Sequence, residues 1–173
     1  MFLTILTRTY KRPVMLEMCR RSLDMQTCQD YEQIIIRDDV GIGVNKANIL
    51  LRDRSGEGDY IWIFDDDEYI TNEYFVSILK AYAIKNEPEV MVIESLRGNE
   101  GVVGSNPEMK LGNIGFINVV CRKDIWERYK SNIGDCYAGD WPFIKSMIEG
   151  CVVFHKIEGL MLKAQRVSRG IAE

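Results

Sequence analysis

"YIWIFDDDEYI", residues 60–70, runs from apolar and aromatic strand formers straight into four acids. Tyr60–Phe64 reads as a buried strand, because aromatic and β-branched residues suit a pleated, packed surface. Asp65, Asp66, Asp67 and Glu68 then crowd like charges at its tip. In an extended chain alternate residues face the same way, so Asp65 and Asp67 are expected to point together and Asp66 away. Two carboxylates a few ångströms apart raise each other's pKa unless a cation neutralises them. A hard divalent ion such as Mg²⁺ or Mn²⁺ takes one or two carboxylates together with phosphate oxygens. The competing reading is a solvated loop or caps for the next helix. A calcium loop is excluded: the sixth position from Asp65 is Ile70, not glycine, and the twelfth is Val76, not an acid.

Working outward, Phe2–Leu6 is a strand candidate, and Pro13 can open a helix over Val14–Met25 with Met15, Met18, Cys19 and Leu23 on its apolar face. Tyr31–Arg37 is a second strand, ending in Asp38 and Asp39. A glycine-punctuated loop then leads into a short helix near ANILL. Thr71 is expected to cap a helix that ends before Pro88, and Glu89–Leu96 is a fourth strand. Residues 97–113 read as a long loop, Ile114–Cys121 as a strand, Lys123–Tyr129 and Asp140–Glu149 as helices, and Cys151–Ile157 as a last strand. The segment 159–173 lacks a clear period and is expected to be a tail or lid on a single domain spanning 1–173. Alternating strands and helices point to an α/β fold with a mostly parallel central sheet flanked by helices. Ligands bind such sheets at the carboxyl ends of the strands. Thr7–Arg12, Asp38–Asp39 and Asp65–Asp67 would all lie along that edge.

The chain has 173 residues, 46% hydrophobic and 28% charged, which suits one globular domain with a core rather than disorder. A net charge of −4 argues against non-specific nucleic-acid binding. No apolar run reaches the roughly 20 residues of a membrane span. Five cysteines without a CxxC pair read as reduced thiols, and a cytoplasmic location is expected.

The ordered set TRTYKRP (7–13), IIIRDDV (34–40), NKANILL (45–51), GDYIWIFDDDEY (58–69) and YAGDWPF (137–143) resembles the GT-A glycosyltransferases, particularly the family 2-like group. The resemblance runs from residue 3 to about residue 145. It implies a single GT-A nucleotide-diphospho-sugar transferase domain. It also implies transfer, with inversion at the sugar, from a UDP-sugar or GDP-sugar donor to a glycan, lipid-linked or protein acceptor. By the same resemblance Thr7, Thr9, Tyr10, Arg12 and Asp38 or Asp39 hold base and ribose, a carboxylate there accepting a uracil imide N–H. Lys46 and Asn48 lie against the nucleotide, and Asp66 or Glu68 touches ribose, the alternative for both being a cap. Asp65 and Asp67 grip the diphosphate through Mn²⁺ or Mg²⁺, with His155 as a third ligand. Asp140 matches the second acid of the family's Glu-Asp pair and is the implied general base, with Asp135 in reserve. Gly139 stands where the pair has Glu, which keeps open a non-catalytic relative that binds a nucleotide-sugar or glycan. The bland readings beside these are a core histidine for His155 and a helix N-cap for Asp140.

Overall fold

The computed structural model describes residues 1–38, 48–97, 101–104, 109–136 and 138–164. The strands are β1 (Leu3–Thr9), β2 (Tyr31–Arg37), β3 (Tyr60–Ile63), β4 (Glu68–Tyr69), β5 (Val90–Arg97), β6 (Gly101–Val103), β7 (Val119–Arg122) and β8 (Phe154–Ala164). The helices are α1 (Pro13–Asp24), α2 (Ile49–Arg52), α3 (Phe75–Asn86), α4 (Lys123–Tyr129) and α5 (Asp140–Glu149). All these strands join one sheet in the order β2-β1-β3-β7-β5-β8-β4, with β6 paired to β5. β1 is parallel to β2 and β3, and β5 is parallel to β8. β7 is antiparallel to both β3 and β5, so β1, β2, β3, β5 and β8 share one direction. The fold is α/β, as the sequence leads one to expect.

Strand alternation sends side chains to two cores. Leu3, Ile5, Trp62 and Phe64 pack with Cys19 and Leu23 of α1 and with Phe75 and Leu79 of α3. Leu6, Ile61 and Ile63 pack on the other face with Leu51 of α2, Trp126 of α4 and Phe143 of α5. Trp62 is fully buried, lies 5.5 Å from the stacked Phe75 ring, and donates its indole N–H to the Ile117 carbonyl at 2.9 Å. That satisfies the one polar group of a large side chain.

Several expectations are corrected. β1 runs on to Thr9 because its ladder with β2 continues to Arg37. The buried face of α1 is Leu16, Cys19, Ser22 and Leu23, while Met18 is 45% exposed. Pro13 does open α1. α3 begins after Tyr74 rather than at Thr71. Ile114–Asn118 is not strand: Asn118, fully buried, accepts from the Gly115 N–H and donates to the Ile93 carbonyl and Ser95, which holds Phe116–Asn118 in a 3₁₀ turn. The last strand reaches Ala164, pairing Glu94–Arg97 with Met161–Ala164, so residues 159–164 belong to the sheet rather than to a tail.

Candidate functional site

β3 stops at Ile63, and the four acids form a tight turn instead of a strand extension. The Glu68 N–H donates to the Asp65 carbonyl at 3.2 Å, and the Asp65 N–H donates to the Glu68 carboxylate at 3.0 Å. The alternation argument therefore does not apply to Asp65–Asp67, yet the turn still gathers the charges. One oxygen each from Asp65, Asp67 and Glu68 lie within 4.8 Å of one another, the three-ligand acidic group among the described residues. Glu68 is a member that strand reasoning missed. A compact set of three carboxylates is the donor chemistry a hard divalent cation takes.

Two arginines approach the turn from opposite faces of the sheet. Arg12, in the loop after β1, sits 2.5 Å from Asp66 and 3.2 Å from Asp67. The Asp66 side chain is fully buried. Burial pushes its carboxyl up to about 6, against the pull of the Thr9 hydroxyl and the Arg12 charge. Burial, followed by the Asp65 charge, also holds Asp67 above its ordinary range. Asp66 is thus turned inward toward Arg12 and away from the other three acids.

Arg8 was not singled out by sequence. It projects from β1 on the α5 face and grips Asp65 with both arms, Nε donating to Oδ1 at 2.7 Å and Nη2 to Oδ2. Its Nη1 donates to Asn48 Oδ1, and its guanidinium lies 5.5 Å from the centre of the Phe116 ring. Burial pulls its pKa down, but Asp65, then Glu68 and Asp67, more than offset this and raise it. The sequence signal was a lone cation inside the buried run LTILTRT.

Thr7 faces α1, accepting from Gln33 at 2.8 Å, and is fully buried. A cavity of about 670 Å³ opens beside the acid turn, lined by Thr9, Tyr10, Arg12, Asp38, Arg20 and Arg37 among others. Thr9 and buried Asp38 are joined there, the Asp38 N–H donating to the Thr9 carbonyl at 3.2 Å. Lys11 holds a φ of 50°, a left-handed conformation that a side chain rarely adopts, and turns the chain sharply into α1. Asp39 and Lys46 lie outside the described residues.

Asn48 is buried and donates to the Cys136 carbonyl at 3.0 Å, reaching the loop before α5. Asp140 is the first residue of α5, with Gly139 in the cap position, so the N-cap reading does not apply to it. A Cβ on Gly139 would stand 2.3 Å from Asn48 Nδ2 and 2.4 Å from the Gly134 carbonyl oxygen, so no larger residue fits there unchanged. Asp135 is exposed in the same loop. His155 is not brought to the acids. Its register row runs His155–Met91–Val120–Trp62, which places it three strands from β3, roughly 14 Å aside at ~4.8 Å per strand. The intervening β5 and β7 separate it from β3, and Glu68 meets β8 at Ala164, the opposite end of that strand. This corrects its expected place as a third ligand.

Neither a family model nor a curated protein sequence matches this chain. Solved structures do. S. aureus TarS 1-349 has a TM-score of 0.75 at 17% identity, over 95% of this chain and 60% of that one. The same TarS segment in complex with UDP-GlcNAc has a TM-score of 0.74 at 13% identity, over 98% and 60%. The mannosyltransferase PcManGT from Pyrobaculum calidifontis, in complex with GDP-Man and Mn²⁺, has a TM-score of 0.68 at 13% identity, over 97% and 58%. The chain therefore spans about three-fifths of the length of these neighbours. Its fold is GT-A-like.

Proposed function

We propose that this protein is a metal-dependent, inverting glycosyltransferase that moves a hexosyl group from a nucleoside-diphosphate donor, UDP in preference to GDP, to an acceptor hydroxyl. The acceptor class is a glycan, a lipid-linked molecule or a protein. The observation that carries the reading is the carboxylate set of Asp65, Asp67 and Glu68 at the carboxyl end of β3, beside the cavity lined by Thr9, Tyr10, Arg12 and Asp38. Support comes from neighbours of the same fold solved with UDP, UDP-GlcNAc, and GDP-Man with Mn²⁺.

On this reading Asp38 or Asp39 accepts from the base and Thr9 and Tyr10 frame the nucleoside, while Thr7, expected beside them, is buried against α1 and does not reach it. Arg12 and Lys46 offset phosphate charge. Asp65, Asp67 and Glu68 would hold the divalent ion, and Asn48 lies behind them. When bound, Mn²⁺ or Mg²⁺ stabilises the charge on the departing diphosphate. Asp140 takes the proton of the acceptor hydroxyl as that oxygen bonds to the anomeric carbon. The bond from that carbon to the phosphate oxygen breaks, and its electron pair leaves with the nucleoside diphosphate.

Thermal unfolding with UDP, GDP and Mn²⁺, alone and in pairs, tests the metal bridge. At a ligand concentration of 100 Kd the stabilisation is about 2.7 kcal/mol, or roughly 5–10 °C for a domain this size. A shift that requires nucleotide and cation together is expected. Nucleotide binding indifferent to Mn²⁺ refutes the reading. The second reading, donor binding without transfer, is favoured by Gly139 before Asp140. It predicts no Mn²⁺-dependent release of UDP from a UDP-sugar.

A further inference from the structure

We propose that Arg8 and Asn48 are positioning residues that tie the acid turn to the segment carrying Asp140, holding the donor side and the acceptor side of the site at one spacing. The proposal rests on the transferase reading above. Three links make the connection. Arg8 commits Nε and Nη2 to the two oxygens of Asp65 and Nη1 to Asn48 Oδ1. Asn48 commits the other end of its amide to the Cys136 carbonyl, 3.0 Å away. Cys136 in turn accepts from the Gly139 N–H at 3.0 Å, one residue before Asp140.

The chemistry fixes the direction of every link. A guanidinium can only donate and a peptide carbonyl can only accept, so the residue between them must offer one acceptor and one donor. An amide does this in one orientation. Aspartate offers no donor to the carbonyl, and leucine offers neither group. Gly139 belongs to the same device. The amide nitrogen of Asn48 occupies the space a Cβ would need, 2.3 Å from its ideal position. This gives a physical reason for glycine where the resembling family has an acid: at this position the chain packs an inward amide in place of a side chain beside the base. Both members are held tightly, Asn48 being 3% exposed and the Arg8 side chain 15%. The Phe116 ring backs the guanidinium. An arginine tethered on three nitrogens and against an aromatic face has little freedom, so movement of Asp65 is transmitted to Cys136 and Gly139.

The test has two arms. The first is a thermal-unfolding cycle of Arg8→Gln, Asn48→Ala and the double variant, which needs no turnover. Coupling is expected, the double variant losing little more Tm than the worse single variant; additive losses overturn the relay. The second arm measures UDP-sugar turnover with Mn²⁺ at a temperature where every variant is folded. Asn48→Ala is expected to lower kcat at least tenfold with donor KM within twofold, and Arg8→Lys, which keeps the charge but loses the fork, to recover Tm more than kcat. An unchanged kcat in Asn48→Ala overturns the positioning role. If the wild type shows no cation-dependent nucleotide binding, the transferase reading fails separately and takes the positioning role with it, while the cycle still decides whether the relay exists.

Discussion

Asp66→Asn changes how stability depends on pH, and the sign follows from the buried carboxyl. In the folded protein Asp66 titrates at about 6, against an ordinary 3.8. Below the ordinary value the group is protonated in both states and contributes nothing. Between the two values the folded chain keeps a proton that the unfolded chain has released. Stability therefore falls as pH rises through this window, and the loss is complete once the pH is well above the folded value. At about 1.4 kcal/mol per pH unit the displacement is worth roughly 3 kcal/mol. The burial behind it is real: the side chain has no exposure, and Arg12 at 2.5 Å offsets only part of the cost. The asparagine amide would keep the shape and lose the titration. Thermal unfolding of both proteins, without divalent cation, from about pH 3.5 to about pH 7.5 reads the effect. The variant should gain on the wild type by up to about 3 kcal/mol across that range, or roughly 6–12 °C in Tm. Groups that titrate identically in both proteins cancel in the difference. Parallel Tm curves would show that Asp66 is not a buried, proton-holding carboxylate, and the account of the turn would fall with it.

Arg12→Gln should act in the opposite sense. Asp66 loses the guanidinium beside it, its carboxyl rises further, and stability falls more at about pH 7.5 than at about pH 4.5, by up to a few kcal/mol, read as the larger drop in Tm; an equal drop at both pH values counts against the pair. Gly58→Ala should destabilise by about 1–3 kcal/mol or prevent folding, because a Cβ there would stand 2.4 Å from the Thr4 backbone nitrogen and 2.6 Å from the Leu3 carbonyl carbon, neither able to step aside. Chemical denaturation at fixed pH measures it, and a midpoint within error of wild type would contradict the packing of the 56–58 turn against β1.

The parts of this fold that were legible in sequence are those set by local chemistry. Tyr31–Arg37 carries three consecutive isoleucines and is a strand with the expected bounds. Lys123–Tyr129 and Asp140–Glu149 are helices with the expected bounds. What was not legible depends on partners distant in the chain. Ile114–Asn118 has strand composition, but the Asn118 amide, bonded to Ile93 and Ser95, captures it as a 3₁₀ turn. Residues 159–164 send only Leu160 and Leu162 into the core, too short a pattern to read alone, and their strand is fixed by distant partners: Met161–Ala164 pair with β5 on one side and Lys163–Ala164 with β4 on the other. Arg8 escaped notice because its partners, Asp65 and Asn48, are 57 and 40 residues away. His155 misled for the converse reason. Its place in the chain suits a ligand, but strand order decides its distance, and strand order was not readable.

The acid turn folds because the protein offsets part of its charge. Asp65 to Glu68 bring four carboxylates to the end of β3, and two guanidiniums answer them, Arg8 at Asp65 and Arg12 at Asp66 and Asp67. The guanidiniums are fewer than the carboxylates. With no arginine, four acids at this spacing, one of them buried, would oppose the packing of β3 against β1. With four cations the turn would be closed to any further ion. Offset in part, it is compatible with a folded sheet edge and, on the transferase reading, would still attract a divalent cation. The exposures differ in kind: the Asp66 side chain is 0% exposed and serves the fold, whereas that of Asp67 is 35% exposed. Arg12 belongs both to the turn, through Asp66 and Asp67, and to the lining of the cavity, so the acids and the cavity share one cation at the end of the sheet.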